Sequence, residues 1–298
     1  MRPRKKIFKL GIDLGGTKTE CVILDQNYKI VFRKRIPTQK DSYEALLKSL
    51  SDLYHEMVEI IGNYEHTFGI GTPGHENKRS GILKNSNILV MNGQKFRQDL
   101  ETKIKRKIAR QNDSNCFALA ESVLGAGKGK KSVFGAILGT GIGGGFIYNG
   151  KLITGLQSLA GEWGHSIINS TGSRCHCGKV GCVETFISGA GMEKRYFDVT
   201  GEKVKMEEIV HRYRIGDQQA KLVMSEFFIY FGKAISNLIT IIDPDVIILG
   251  GGLSNIDEIY TLGINKVKDY ISEEIRTPIV RNKCGDSAGV LGAALIGV

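Results

Sequence analysis

The sequence predicts a duplicated α/β fold of two lobes with a cleft between them. Three observations predict it: one β-meander pattern occurs twice, apolar strand segments run straight into glycines three times, and the 298 residues amount to about two domains' worth of chain.

The first meander occupies residues 7–35. IFKLGI is an apolar strand, DLGGTKT a glycine turn, ECVIL a second strand, DQNY a polar turn and KIVFRKR a third strand. Residues 133–154 repeat the order as VFGAIL, GTGIGGG, FIY, the pair Asn149-Gly150 and KLIT. Asn-Gly between apolar runs is a strong hairpin signal, because both residues tolerate positive φ. Between the meanders, residues 41–61 place Tyr43, Leu46, Leu47, Leu50, Leu53, Tyr54 and Met57 at helical spacing behind an Asp41/Ser42 cap. TFGIGTPG, residues 67–74, reads as a strand ending in a Gly/Pro turn, and the run from Ser114 reads as a helix. Residues 218–242 form a long apolar helix stopped by Asp243-Pro244, after which DVIILGGG delivers a buried strand into Gly250, Gly251 and Gly252. The expected division is a small lobe, residues 1–115, joined by the C-terminal helix 286–298, and a large lobe, residues 116–285.

Composition narrows the class. The chain is 41% hydrophobic and 24% charged, ordinary for a soluble globular protein. Glycine contributes 38 residues, nearly twice the usual ~7%, without a collagen period, so the excess belongs in turns that approach a ligand closely. The net charge is +10. Apart from MRPRKK at the start and KIKRK at 103–107, the lysines and arginines are dispersed. A solvated surface that attracts an anionic substrate fits better than a nucleic-acid partner. The start is too polar for a signal peptide, and no apolar run is read as long enough to span a membrane. Six unevenly spaced cysteines do not suggest a disulfide framework, and a cytoplasmic protein is expected.

Consecutive backbone N–H groups in a glycine turn cradle anions. DLGGTKT supplies Gly15 and Gly16 for a phosphate, the Thr17 hydroxyl, Lys18 as a cation and Asp13 for Mg²⁺. LGTGIGGG supplies a second cradle at Gly139, Thr140 and Gly141. Neither is a G-x-x-x-x-G-K-[ST] P-loop, and GTGIGG does not open a helix as a dinucleotide fingerprint does. Two such loops on repeated meanders, with a third after a core strand, favour ATP. Phosphoryl transfer needs a group that orients or deprotonates the acceptor hydroxyl. Asp113 in RQNDSNCFALAES is the candidate, and the residues alone leave it a second role as a helix cap.

GEWGHSIINSTGSRCHCGKVGCVE, residues 161–184, concentrates Cys175, Cys177 and Cys182 with His165 and His176. Three thiolates and either histidine make a closed tetrahedral Cys₃His set suited to structural Zn²⁺, with no position left for catalytic water. Such a clip would aim Glu162 and Glu184 at one small volume, where carboxylates and an imidazole hold sugar hydroxyls.

These motifs together resemble the ROK sugar kinases (repressor, open reading frame, kinase), a family with the actin/hexokinase-like ATPase fold. GEWGH with CHCGKVGCVE carries the resemblance most specifically, and DLGGTKTE, the Asn112-Asp113 pair and LGTGIGGG follow in order. The resemblance implies that Asp113 is the catalytic base and that Asn112, Glu162, His165 and Glu184 contact the sugar. It implies further contacts at Gly74, His75 and Asn87. It implies zinc on His165, Cys175, Cys177 and Cys182, with His165 preferred to His176. ATP would lie on the glycine turns with adenine near Gly251 and Gly252, and a homodimer is expected. Fructose is the expected hexose, with N-acetylglucosamine or glucose as the alternatives and a non-catalytic sugar-responsive regulator as the remote one. The choice of fructose rests partly on Leu89, Val90 and Met91, which are expected to narrow the wall beside Asn87 against an acetamido group. Family repressors carry a DNA-binding domain ahead of the sugar domain, and a first phosphate loop at residue 13 is read as leaving no room for one.

Overall fold

The computed structural model describes residues 6–298; the basic start, residues 1–5, lies outside the described residues. The chain forms two compact units. One runs to Ala120 and includes Thr154–Leu159 and Asp286–Val298; the other comprises Glu121–Ile153 and Ala160–Gly285.

In chain order, the first unit contains β1 (Ile7–Leu14), β2 (Lys18–Leu24), β3 (Ile30–Pro37), α1 (Tyr43–Ile61) and β4 (Glu65–Thr72). A short ribbon, β5 (His75–Glu76) with β6 (Leu83–Lys84), follows, then α2 (Phe96–Ile104), β7 (Ala109–Asn112) and the start of α3 (Asp113–Val123). The second unit holds β8 (Ser132–Leu138), β9 (Ile142–Tyr148), β10 (Lys151–Ile153), α4 (Glu184–Ile187), α5 (Gly189–Thr200), α6 (Met206–Arg214) and α7 (Gln218–Ile242). It ends with β11 (Val246–Gly250), α8 (Leu262–Lys268) and β12 (Ile279–Arg281), before α9 (Ala288–Ile296) returns to the first unit.

The repeat read in the sequence is a repeat of sheet topology. The first sheet is ordered β3-β2-β1-β4-β7 and the second β10-β9-β8-β11-β12. In each, an antiparallel meander adds two parallel strands, β4 and β7 in one and β11 and β12 in the other.

α1 forms where the apolar spacing requires it. The Ser42 side chain accepts from Ala45 N, and Leu46, Leu50, Leu53, Tyr54 and Met57 bury against Leu10, Ile12, Phe68 and Ile70 of the sheet. α9 covers the other face of β1 and β4. Its backbone comes so close that a Cβ on Gly11 would stand 2.4 Å from Ala294 N, so only glycine permits this packing.

Two expectations are corrected. GTGIGGG is not all loop: β9 begins at Ile142, opposite Leu138, and the turn is confined to Gly139–Gly141. Gly143–Gly145 are strand residues, and a Cβ on Gly144 would stand 2.7 Å from the buried Trp163 ring. The second correction concerns apolar length. Among the described residues, α7 is long and apolar enough to cross a membrane by length and composition, with a mean hydropathy of 1.3. Val223, Met224, Phe227, Phe228, Phe231 and Ile235 bury that character in the core of the second unit.

Candidate functional site

In open α/β sheets ligands collect at the carboxyl ends of the strands. In the first unit those ends belong to β1, β4 and β7, paired as Asp13 with Gly71 and Thr72 with Asn112. The register therefore brings Asp13, the Gly74 turn, Asn112 and Asp113 to one end of one sheet.

The first glycine turn is held from behind. Gly15 N donates to Lys18 O at 3.0 Å, the Thr38 hydroxyl to Gly15 O at 2.7 Å and Thr38 N to Thr17 O at 3.0 Å. Lys40 Nζ reaches Gly16 O at 3.3 Å, and Thr17 and Lys18 stand exposed at the tip. Asn87 borders this turn, since a Cβ on Gly16 would lie 3.4 Å from its amide nitrogen. Burial, followed by the charges of Asp113 and Glu20, raises the pKa of Asp13 to about 7. A divalent cation would relieve that carboxylate, so the residue fits Mg²⁺ on charge grounds.

The two roles open for Asp113 separate. Asn112 Oδ1 accepts from Asn115 N at 2.8 Å, so Asn112 caps α3, while Asp113 is the first residue of the helix. Asp113 is solvent-accessible yet surrounded densely by protein, and that desolvation raises its pKa. The Ser114 N–H, 2.8 Å from Oδ1, opposes the rise, as does the Arg110 charge. Arg110 escapes a motif search because nothing local marks it. Its Nε donates to Thr72 Oγ1 at 2.8 Å and its Nη2 to the carbonyl of Gly74. Gly74 takes φ +80°, and a Cβ there would stand 2.5 Å from Lys84 O. His75 follows it in the ribbon, opposite Lys84.

The expected wall of Leu89, Val90 and Met91 does not form. Met91 is 0% exposed in the core, Val90 packs partly against that core, and Leu89 is 79% exposed. A one-turn helix at Leu89–Met91 points consecutive side chains in different directions.

In the second unit the other two glycine loops meet. β8 and β11 are parallel neighbours, with Ile137 opposite Gly250, so Gly139–Gly141 and Gly251–Gly252 share one sheet end. The start of α5 fixes the turn: Gly189 N donates to Gly139 O at 2.8 Å and Ala190 N to Thr140 O at 3.2 Å. Glu184 joins this turn to the knot. Its Oε2 accepts from Ile142 N at 2.8 Å and its Oε1 lies 2.9 Å from His176 Nε2. The carboxylate thus ties the cysteine knot to the glycine turn.

The knot gathers its donor atoms closely enough for one metal ion. One donor atom from each of His165, Cys175, Cys177 and Cys182 lies within 4.8 Å of the others. His165 Nδ1 to Cys175 Sγ is 3.6 Å and Cys177 Sγ to Cys182 Sγ is 3.6 Å. Zn–S and Zn–N bonds of ~2.3 and ~2.0 Å give tetrahedral edges of about 3.5–3.8 Å. The three cysteines form no disulfide, so the donor set fits zinc. A second grouping, His165, Cys175, His176 and Glu184, meets the same distance limit, but His176 is 70% exposed and faces Glu184. Glu162 immediately precedes the short helical turn Trp163–His165, whose indole Nε1 donates to Gly143 O at 2.9 Å.

The repeated sheet with glycine turns at its strand ends suits a phosphotransferase, and comparison with known proteins gives the family. A model of the ROK family matches residues 9–297. The chain is 37% identical over 300 residues to N-acetyl-D-glucosamine kinase of Pasteurella multocida (strain Pm70), covering 97% of this chain and 98% of that protein. It is 38% identical to N-acetyl-D-glucosamine kinase of Aliivibrio fischeri (strain ATCC 700601 / ES114), covering 97% and 98%. The crystal structure of the ROK hexokinase from Thermus thermophilus matches with a TM-score of 0.90 and 29% identity over 98% of this chain and 97% of that one. The chain belongs to the ROK family and is a sugar kinase.

Proposed function

We propose that this kinase transfers the γ-phosphoryl group of ATP to the primary hydroxyl of N-acetyl-D-glucosamine. The observation that carries the reading is 37% identity, over 97% of the chain, to a protein named for that activity. The dispersal of Leu89 and Met91 to solvent and core removes the steric reason for preferring fructose.

In this reading Asp113 accepts the hydroxyl proton while the sugar oxygen bonds to the γ-phosphorus and the bond from that phosphorus to the ADP oxygen breaks. Gly74, His75, Asn87, Asn112, Glu162, His165 and Glu184 are the proposed sugar contacts. Asp13, Gly15, Gly16, Thr17, Lys18, Gly139, Thr140 and Gly141 are the proposed phosphate contacts, with Gly251 and Gly252 toward the base. Mg²⁺ at Asp13 would offset the phosphate charge. Zinc on His165, Cys175, Cys177 and Cys182 would serve as a structural clip.

The test is an ATP-coupled assay across N-acetylglucosamine, N-acetylmannosamine, glucose, mannose and fructose. N-acetylglucosamine is expected to show the highest kcat/KM, at least about tenfold above fructose, a ratio within reach of contacts to one acetamido group. Fructose as the best substrate would overturn this proposal and leave the sugar-kinase class intact.

A further inference from the structure

The end of β7 carries a cation that the proposed mechanism does not use. Arg110 precedes Asp113 by three residues and pairs across the sheet with Ile70. Its two donors flank Pro73: Nε goes to Thr72 Oγ1 at 2.8 Å, and Nη2 goes to the carbonyl of Gly74. Thr72 is 0% exposed, and Gly74 is left-handed at φ +80°. Among the described residues Arg110 makes no ion pair, because Glu76 is bound to Arg97 at 3.1 Å. Desolvation pulls the pKa of Arg110 down to about 10. The nearby charges of Glu76 and Asp113 offset only part of that desolvation, and a neutral side chain would fill the same space at less cost. What only arginine supplies is a rigid planar fork that reaches two acceptors at once.

We infer that Arg110 is a positioning residue whose guanidinium spans Thr72 and Gly74 and so holds the Thr72–His75 turn in its sugar-binding conformation. The inference rests on the proposed reading in which Gly74 and His75 contact the sugar. Arg110 acts through the turn and touches neither substrate, so its loss registers in sugar affinity and leaves the nucleotide alone.

The test measures kcat, KM for sugar, KM for ATP and Tm on the full-length protein, using the sugar that the wild type phosphorylates best. The variants are Arg110→Met, Arg110→Lys, Thr72→Val and the double variant Arg110→Met with Thr72→Val. Arg110→Met is expected to raise the sugar KM at least about tenfold with kcat within about threefold and the ATP KM unchanged, the pattern of lost ground-state binding. Arg110→Lys, a single point donor, restores only part of the loss. Thr72→Val moves the sugar KM in the same direction, and the double variant is no worse than Arg110→Met, since both remove one shared contact. A sugar KM unchanged in Arg110→Met overturns the inference, as does a parallel rise in both KM values or a lowered Tm with sugar KM intact. If Arg110→Met does not fold, Thr72→Val decides by the same criterion. A wild type inactive on every sugar overturns the proposed function and the inference with it, and that result is read before any variant.

Discussion

Asn112 and Asp113 are neighbours with different work. Asn112 spends its carbonyl oxygen on the Asn115 N–H, 2.8 Å away, which releases Asp113 from capping α3. Asp113→Asn is therefore expected to keep the Tm and sugar binding of the wild type while kcat falls at least about 100-fold, the lower range for loss of a general base. Activity within tenfold of wild type would remove Asp113 from that role. The pH dependence follows from burial, which raises the Asp113 carboxyl above its ordinary value of 3.8 against the Ser114 and Arg110 contributions. A base works deprotonated, so kcat/KM is expected to fall with falling pH through a midpoint above 3.8. The residual activity of Asp113→Asn should lack that limb; a pH–rate profile of both proteins checks it.

At the scale of elements, the knot and the second glycine turn are one mechanical unit. Glu184 accepts from Ile142 N at 2.8 Å while its other oxygen meets His176 of the knot at 2.9 Å. Metal binding to such a site is coupled to its folding. One zinc per chain is expected by elemental analysis of protein purified without chelator. Chelation or Cys177→Ser is expected to lower Tm and also to weaken ATP binding, because Glu184 would lose its fixed position beside Ile142. Calorimetric titration with a non-hydrolysable ATP analogue reads the second effect. A chelated protein with unchanged Tm and unchanged nucleotide affinity would contradict both statements.

Across the whole molecule, two five-stranded sheets share one topology, and each gathers its glycine turns at the carboxyl ends of its parallel strands. A buried carboxylate fastens the chain over a long separation within the second unit. Glu121, 0% exposed, accepts from Ala126 N at 2.8 Å, Lys283 N at 2.9 Å and Cys284 N at 2.6 Å. Glu121→Ala leaves those N–H groups without an acceptor and is expected to cost at least about 2 kcal/mol, read as a lowered urea midpoint at unchanged m. An unchanged midpoint would mean that water replaces the carboxylate freely. The meanders, α1 behind Ser42, α7 ending at Asp243 and the Cys₃His spacing were legible in the sequence, because near neighbours decide them: turn sterics, capping and amphipathic period act over a few residues. ROK membership was legible for the same reason, since its motifs are short and local. Other features were decided only by tertiary structure. Arg110 meets Thr72 across 38 positions, Glu184 meets Ile142 across 42, and Glu121 meets Lys283 across 162. Leu89, Val90 and Met91 looked like a pocket wall until the core claimed Met91 and Leu89 turned to solvent. No local pattern encodes such pairs, because each exists only once the sheet register has brought distant segments side by side.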